Sequence, residues 1–379
     1  MNKELTYWMA LAHIPKILTL KKNEIIVRLH TQNNSIIDFF ELTPSDWLND
    51  FNLNSIETEL ITEAKSQLSA YAFLVEDLLD QGYNILPITS QDYSPILKKN
   101  LGKTYSPPVI YTKGNIQIMK EKSIAIVGSR TASNIALEFA DNIARNATND
   151  FKVIVSGFAK GVDKQALESA IKYKGKSIIV LPQGISTFQS GFKTYYKQII
   201  DGDVLVLSTF HPKAPWNVQL AMARNPIIYG LASEIFVAES SEKGGTWSGV
   251  IDGLRKKRNI YVRKSDFSED NSNNILISKG GIAVDLKGNI IDFKPEKDTE
   301  LIIPETETTN IEFKIIEFLH SGVYSAKEII EKLNLEWSNK KLIEFLKNKP
   351  EIIIKENKPY KFTHKDGDFN TQQMLLPLE

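Results

Sequence analysis

Two short turns in the middle of the chain carry residue types suited to binding a phosphate group. Each turn follows a short apolar run, 123–127 for the first and 153–155 for the second, and each precedes a helical pattern. Small residues let a phosphate reach backbone N–H groups, and the N-terminus of the following helix favours negative charge. Each turn also contains one cation; the residues concerned are Gly128, Ser129 and Arg130 in the first turn and Ser156, Gly157, Lys160 and Gly161 in the second. The pair predicts a site for a phosphate-bearing ligand.

Two later segments extend this set. Arg224 and Asn225 lie upstream of the apolar run 235–238, and Gly244, Gly245 and Thr246 follow it. Ligands of open α/β sheets bind beyond the carboxyl ends of the strands, so we expect these segments and the two turns to line one crevice. A single glycine turn is weak evidence, because helix caps and tight turns also need glycine. The prediction therefore depends on the whole set.

The densest cationic stretch joins a predicted helix to a predicted strand and consists of Arg255, Lys256, Lys257 and Arg258. Such runs are commonly solvated faces, but this one follows the Gly244 turn, and we expect it to extend the crevice. A polyanion longer than one nucleotide would bind along such a track. Phe158, Trp216 and Trp247 lie in or near the turns. Base stacking and core packing are both open for these three rings.

Two carboxylates and one histidine are the remaining candidates for chemistry. Asp163 begins a helix after the second turn, where it is either a partner of the helix dipole or a general base or ribose ligand. Glu239 ends a strand and leaves the same alternatives open. His211 lies in a loop, and we interpret it as a surface or capping residue rather than a catalytic base.

Several familiar catalytic patterns are absent from the chain. No G-x-G-x-x-G follows the first core strand, no Gly-Lys-Ser/Thr loop occurs, and there is no nucleophile elbow, which disfavours hydride transfer, ATP hydrolysis and acyl transfer. The chain has 0 cysteines, and its 5 histidines are scattered, which excludes disulfides and disfavours a zinc site. We therefore expect no cofactor and no metal.

Composition describes an ordinary globular protein. The 379 residues are 42% hydrophobic and 24% charged, with a formal net charge of +0, and the length suits two or three domains. Any nucleic-acid binding must then come from local patches of charge. The N-terminal segment is too short and too polar for a signal peptide or membrane span, so we expect a cytoplasmic protein without membrane contact.

Periodicity predicts the elements that position these residues. Apolar β-branched runs predict strands at residues 124–127, 153–155, 177–181, 204–207, 235–238 and 260–262, with helical patterns between most of them. This alternation predicts an α/β fold with an extended, Rossmann-like, doubly wound, mostly parallel sheet.

The same reading divides the chain into six segments. We expect a helical N-terminal module at 1–85, a connector at 86–119, the Rossmann-like core at 120–291, a linker at 292–310, a winged-helix domain at 311–364 and a tail at 365–379. In the winged-helix segment, Ser325 followed by Glu328 predicts a helix with a capping box, and the run 351–364 predicts a hairpin.

The segments IAIVGSR, VSGFAKGVD and ARNPIIYGLA, in this order, resemble the DprA (Smf) family of DNA-processing proteins, and the resemblance covers most of the chain. It implies a homodimer that binds single-stranded DNA in the positively charged crevice and loads a RecA-type recombinase during natural transformation, without a known reaction. The family's binding positions correspond here to Ser129, Arg130, Ser156, Gly157, Lys160, Arg224 and Asn225.

Several positions depart from the family pattern. Leu167 stands where the family usually has His, and Pro226 stands where it usually has a second Arg. The chain therefore resembles a divergent member, and a role specialised for phage defence is open. The GGTWSG segment also shares part of the PGGxGTxxE turn of lysine-decarboxylase-like (LOG) proteins. A nucleotide-binding sensor or nucleoside-phosphate hydrolase is therefore the alternative function.

Two features of the C-terminal region suggest further partners. The third predicted helix of the winged-helix segment carries Lys340, Lys341, Lys347 and, just beyond it, Lys349, but no Arg or Gln for bidentate base contacts, which disfavours a sequence-specific regulator. The tail fits the Q-x-x-L-x-L pattern of peptides that dock in the bacterial sliding clamp; a frayed tail is the other interpretation. The residues that would bind the clamp are Gln372, Gln373, Leu375, Leu376 and Leu378.

Overall fold

A computed structural model of the chain describes residues 2–266, 268–293, 315–316, 318–319, 322–335, 337–347, 349, 352–357 and 360–364. The chain forms two compact units, Met1–Glu296 and Lys297–Glu379. Most of the predicted linker and all of the predicted tail, including the clamp-binding segment 372–378, lie outside the described residues. Within the described part of the chain, no helix combines the length and the apolar character needed to cross a membrane.

The first unit begins with helices that form one side of its core. They are α1 Asn2–His13, α2 Thr19–Thr31, α3 Ile36–Glu41, α4 Pro44–Asp50, α5 Ser55–Ser66 and α6 Leu68–Asp80. Three of them start with a capping box, because Ser35, Thr43 and Asn54 each exchange hydrogen bonds with an acidic residue three positions later. Leu11 of α1 is buried in the same hydrophobic cluster as strand residues Ile179 and Val206, so the helices pack directly on the sheet.

Nine described strands form the sheet of the first unit. They are β1 Asn84–Pro87, β2 Val109–Lys113, β3 Ser123–Val127, β4 Val153–Ser156, β5 Ser177–Val180, β6 Val204–Ser208, β7 Glu234–Val237, β8 Asn259–Arg263 and β9 Ile282–Val284. Their order is β1-β2-β6-β5-β4-β3-β7-β8-β9. Strands β3 to β9 pair in parallel, and β1 and β2 add an antiparallel edge.

The remaining helices of this unit cover both faces of the sheet. They are α7 Pro95–Tyr105, α8 Asn134–Asn149, α9 Val162–Lys172, α10 Gln189–Thr194, α11 Tyr196–Ile200, α12 Val218–Ala223, α13 Asn225–Leu231, α14 Gly245–Arg255 and α15 Asn273–Ser278, with 3-10 turns at Ile116–Lys120 and Ile185–Thr187. Because side chains alternate along a strand, Ile124 and Ile126 pack towards α8 and α9, whereas Ala125 and Val127 face the cluster of α13 and α14.

The predicted α/β class and all six predicted strands are confirmed. The sequence reading missed β1, β2 and β9. Strands β1 and β2 lie in the expected connector, where prolines masked a strand pattern; Pro87 is tolerated because β1 is an edge strand. Strand β9 has 3 residues, too few for a periodicity to be visible.

The described part of the second unit contains two helices and a small antiparallel sheet. The strands are β10 Tyr324–Ser325, β11 Ile352–Asn357 and β12 Tyr360–His364, in the order β10-β12-β11, and the helices are α16 Ala326–Leu333 and α17 Asn339–Lys347. Ile329, Leu342 and Phe362 are buried in its core. The predicted capping box of Ser325 and Glu328 is present at the start of α16. The winged-helix assignment stays a prediction.

Candidate nucleic-acid interface

The loops that follow β3, β4 and β7 meet at the edge where the parallel strands end, which we call the carboxyl edge. The chain crosses from one side of β3 to the other between β6 and β7, and such a reversal of strand order opens a crevice in doubly wound sheets. Hydrogen bonds join the loops: Ser129 N–H donates to the Glu239 carbonyl at 3.0 Å, and Thr246 Oγ1 donates to the Gly128 carbonyl at 3.0 Å. Val162 N–H donates to the Ser129 carbonyl at 3.2 Å. The structure therefore brings the predicted turns together.

A cavity of about 270 Å³ lies at this edge, lined by residues that follow β3, β4 and β5 and by residues of the segment 216–224. We call this space, together with its lining residues, the crevice; the lining residues are Arg130, Gly157, Phe158, Ala159, Lys160, Pro182, Trp216, Ala221 and Arg224. Three of them are cations and none is a carboxylate. Arg130 and Lys160 are exposed, and neither forms an ion pair with any residue that the structure describes. The crevice is therefore electropositive and open to a phosphate group.

Arg224 forms the buried cationic part of the crevice. It lies between α12 and α13, is only 4% exposed, and donates from Nη1 to the Val180 carbonyl at 3.0 Å. Its Nε has no hydrogen-bond partner in the described structure. Burial lowers the pKa of the guanidinium, but an arginine remains charged in this setting. The side chain is fixed in place at the wall of the crevice, and its Nε–H donor is buried without a partner in the described structure.

The glycine at position 157 explains how Arg224 fits. A Cβ at Gly157 would lie 1.5 Å from Nη1 of Arg224, so only glycine leaves room for the guanidinium. Gly161 is required for a second reason. Its φ of +78° is unfavourable for other residues, and a Cβ there would lie 2.3 Å from the Ser129 carbonyl. The two glycines of the second turn thus shape the crevice.

Asp163 lies beneath the second turn and is 7% exposed. Its Oδ2 accepts the Gly157 N–H at 3.2 Å, and the carboxylate also accepts a backbone hydrogen bond from Ala159. Burial raises the pKa of Asp163, and the nearby Arg224 opposes this shift. The sequence left open whether Asp163 has a structural role or acts as a general base or ribose ligand, and these hydrogen bonds favour a structural role. The Gly157 N–H, which we expected to bind phosphate, is already bound to Asp163.

Glu239 also has a structural contact. Its carboxylate accepts the Ser133 N–H at 3.2 Å and the Ser133 hydroxyl in a short hydrogen bond. It holds the loop between β3 and α8 and does not line the crevice. His211 is partly buried; its Nδ1 accepts the Lys213 N–H at 3.3 Å, as expected of a residue that caps its own loop. Burial lowers the pKa of His211.

The three candidate aromatic residues differ in their surroundings. Phe158 has a positive φ of 59° and packs edge-to-face on Phe188 and Tyr195, with ring centroids 5.0 and 5.7 Å away. Trp247 is packed against the hydrophobic cluster of α13 and α14 and does not line the crevice. Trp216 lines the crevice and is 52% exposed. It therefore has a free surface available to a planar ligand.

The Gly244 turn lies beside the crevice rather than in its lining. Helix α14 starts at Gly245, whose carbonyl accepts from Asn225 Nδ2 at 3.3 Å. Thr246 is tied to the first turn by its hydroxyl. These contacts place Asn225, Gly245 and Thr246 next to the loops of the crevice, with no side-chain cap on the N-terminus of α14.

The basic run is placed at the opposite edge of the sheet, against our expectation. Helix α14 begins at the carboxyl edge and, with 11 residues, spans about 16 Å to the edge where β8 begins. Arg255 is the last residue of this helix, residues 256–258 follow it, and Arg258 donates to the Tyr229 and Ala232 carbonyls near the start of β7. A helix that returns to the next parallel strand must end at the amino edge, so the run cannot extend the crevice directly.

The two departures from the family pattern have structural explanations. Leu167 is 1% exposed and packs in the hydrophobic core that the sheet shares with the N-terminal helices. Pro226 occupies the first turn of α13, where its missing N–H would be unpaired in any residue. Neither position lines the crevice. Ala221 does line it, and sequence reasoning missed this residue because a small apolar side chain carries no signal of chemistry.

The fold and the crevice define a class: a Rossmann-like α/β protein with a cationic site at the carboxyl edge of its sheet. The model of the family described as DNA recombination-mediator protein A matches residues 84–293. This match covers more than half of the chain and spans all nine strands of the sheet, so the chain belongs to that family.

Individual relatives agree with this assignment. The chain is 32% identical over 165 residues to the DNA processing protein DprA of Streptococcus pneumoniae, covering 43% of this chain and 58% of the relative. It is 29% identical over 235 residues to the DNA processing protein DprA of Bacillus subtilis, covering 59% of this chain and 76% of the relative. The X-ray structure of the Streptococcus pneumoniae protein has a similar fold, with a TM-score of 0.62 and 22% identity over 75% of this chain and 94% of that one.

Proposed function

We propose that this protein binds single-stranded DNA in the crevice and acts as a recombination mediator without catalysing a reaction. The observation that carries the proposal is the group of three cations, Arg130, Lys160 and Arg224, around one cavity without a lining carboxylate. Phosphate contacts from Arg and Lys dominate the affinity of proteins for nucleic acids. Membership of a family of DNA recombination mediators supports the same function.

The preference for a single strand follows from the size and walls of the crevice. A volume of about 270 Å³ is smaller than a typical drug-sized pocket, so it suits one nucleotide unit of a strand rather than a duplex. Trp216 offers an exposed ring on which an unpaired base stacks, and bases in a duplex are not available for such stacking. Cations and an aromatic wall are the combination found in proteins that bind single strands without sequence preference.

The alternative function, a nucleotide sensor or nucleoside-phosphate hydrolase, requires a carboxylate directed at the ribose or at a water molecule. The two candidates, Asp163 and Glu239, are bound to backbone N–H groups and to Ser133. Neither lines the crevice. These contacts weigh against the alternative.

The partners belong to the same proposal and come from the family resemblance. We propose a cytoplasmic homodimer that assists a RecA-type recombinase in DNA uptake, recombination or phage defence. The second unit, with the exposed residues Lys340, Lys341 and Lys347 on α17, is proposed as a winged-helix contact for duplex DNA or protein. Clamp binding by the tail is tested by a pull-down with purified sliding clamp, in which deletion of residues 372–379 should abolish capture.

The test of single-strand binding compares three ligands. Fluorescence anisotropy with labelled oligo-dT, the matching duplex and an abasic oligonucleotide of equal length should give tight binding only for oligo-dT. Trp216→Ala should weaken binding of oligo-dT roughly 5- to 150-fold, because stacking on one aromatic ring contributes about 1–3 kcal/mol per base, and should leave binding of the abasic strand unchanged.

The matched control is Tyr196→Ala, which removes an aromatic ring that is 65% exposed and does not line the crevice. It should change neither affinity. Equal affinity of the wild-type protein for single strand and duplex would contradict the proposal. Tight binding of a nucleoside monophosphate, together with weak binding of oligo-dT, would favour the alternative.

A further inference from the structure

The amino edge of the sheet carries a second cationic surface, separate from the crevice. Strand register places the residues that precede β3, β7, β8 and β9 side by side, because Ile124 is aligned with Glu234, Glu234 with Asn259, and Tyr261 with Ile282. At a spacing of about 4.8 Å between neighbouring strands, the starts of β3 and β9 lie about 14 Å apart. We call the exposed residues at this edge the amino-edge surface: Tyr105, Lys122, Arg255, Lys256, Lys257 and Lys279.

Positive charge at this edge exceeds negative charge. Four of its carboxylates are paired with lysines of the same edge: Glu121 with Lys176 at 2.8 Å, Glu234 with Lys152 at 2.9 Å, Asp150 with Lys152 at 3.8 Å and Asp252 with Lys256 at 2.8 Å. Among the residues described, Lys122, Lys257 and Lys279 form no ion pair. Their charges are therefore available to an anionic partner.

Two local features go beyond what a helix terminus needs. Cations at the end of α14 complement the helix dipole, but this explains only residues in its last turn. Lys257 has a left-handed backbone with φ 53°, at a position where glycine or asparagine usually ends a helix. Tyr105 is 52% exposed, and Lys256 Nζ lies 4.6 Å from the centre of its ring. An exposed aromatic ring beside lysines is the pattern of surfaces that bind a nucleic-acid strand.

We propose that the amino-edge surface is a second nucleic-acid site, which contacts the phosphate backbone of DNA that extends beyond the crevice. The inference rests on the proposed function, since the partner of this surface is taken to be the same DNA strand that binds in the crevice at the carboxyl edge. An acidic protein segment is the competing partner for the same charges. Nucleic acid is favoured because the unpaired lysines at the starts of β3, β8 and β9 are spread across several strands, as contacts to a continuous backbone require, and because Tyr105 lies among the cations.

The test uses a triple variant and two lengths of DNA. Lys122→Gln, Lys257→Gln and Lys279→Gln are combined, and the control combines Lys3→Gln, Lys65→Gln and Lys197→Gln, which are also exposed and remove the same charge. The probes are labelled oligo-dT of about eight nucleotides, which fits one site, and of about forty, which reaches both. Circular dichroism and thermal melts verify that both variants are folded.

We expect the triple variant to bind the short oligo-dT as the wild-type protein does and to lose up to about 100-fold in affinity for the long one at 0.1 M salt. Each phosphate contact on a single strand contributes a slope of about −0.7 in log K against log salt, which is about fivefold at that salt concentration. Equal affinities of the triple variant and the control for the long oligo-dT would overturn the proposal. Polyglutamate is the probe for an acidic protein partner. If the triple variant loses binding of polyglutamate but binds the long oligo-dT as the control does, the proposal is also overturned and the partner is an acidic protein segment.

The same experiment separates this inference from the proposed function. If the wild-type protein and Arg130→Gln bind the short oligo-dT equally, the crevice is not the primary site, whatever the triple variant does. If Arg130→Gln weakens binding of the short oligo-dT about fivefold and the triple variant changes only the long one, both assignments hold.

Discussion

The salt dependence of DNA binding is the sharpest consequence of the crevice. Each cation that neutralises a phosphate releases counterions, and for single strands log K falls with log salt by about 0.7 per contact. Arg130, Lys160 and Arg224 line one cavity. If each contacts one phosphate, an oligo-dT of about eight nucleotides should bind with a slope of about −2.

Arg130→Gln and Lys160→Gln should each reduce this slope to about −1.4, and the double variant should reduce it to about −0.7. At 0.1 M salt, each single substitution should weaken binding about fivefold. Both side chains are exposed, so their replacement should cost little stability. The assay is fluorescence anisotropy of labelled oligo-dT from about 0.05 to 0.4 M potassium chloride.

The matched control is Lys164→Gln, which removes the same charge one helical turn after Lys160. Lys164 is exposed, pairs with Glu168 at 3.5 Å and does not line the crevice. The slope of log K against log salt for Lys164→Gln should equal that of the wild-type protein. A wild-type slope in Arg130→Gln and in Lys160→Gln would refute the assignment of the crevice as the phosphate site.

Three further predictions concern how the fold holds the site together. Gly157→Ala should displace the Arg224 guanidinium and break its hydrogen bond to the Val180 carbonyl. In urea denaturation the free energy of unfolding should fall by about 2 kcal/mol, and the affinity for oligo-dT should fall as well. Unchanged affinity would contradict the fit described for Arg224. Glu269→Gln should destabilise the first unit by about 3 kcal/mol, because it leaves the buried Arg263 without its bidentate partner. Asp252→Asn breaks an exposed ion pair with Lys256 and should therefore cost less than about 1 kcal/mol. Burial lowers the pKa of Lys22 to about 7, so above that pH the unfolded chain binds more protons than the folded protein, and the free energy of unfolding should rise from pH 7 to 9 by at most about 1.4 kcal/mol per pH unit. Lys22→Met should remove this rise. Equal slopes of the free energy of unfolding against pH in the two proteins would exclude Lys22 as its cause.

Much of the fold was predictable because its signals are local. Each core strand is a short β-branched run followed by a turn and a helix, so the six central strands were found without knowledge of their neighbours. Strands β1 and β2 were missed because an edge pair next to prolines has no such pattern, and its formation depends on pairing with β6. The residues of the two central turns were also predictable, because small residues and a cation between a strand and a helix are a local arrangement.

What those residues do was decided by tertiary contacts. The sequence left Asp163 open between a partner of the helix dipole and a general base or ribose ligand, and only the approach of Gly157, Ala159 and Arg224 shows that its carboxylate is occupied. Arg224 was predicted as a site residue, but its burial against Gly157 and its hydrogen bond to Val180, which hold the guanidinium at the crevice, were not visible in the sequence. Such contacts join residues far apart in the chain, so no local pattern reports them.

The sequence by itself determined that this protein has a parallel sheet whose turns combine small residues with a cation, because strand periodicity, small residues and cations are encoded within a few positions. Only the tertiary structure decided that the turns after β3 and β4 line one crevice with Arg224, that the turn after β7 lies beside it, and that the basic run at 255–258 lies at the other edge. The physical reason is the direction in which the strands and helices run. Parallel strands collect their following loops at one edge, and a returning helix such as α14 carries its C-terminal residues to the opposite edge.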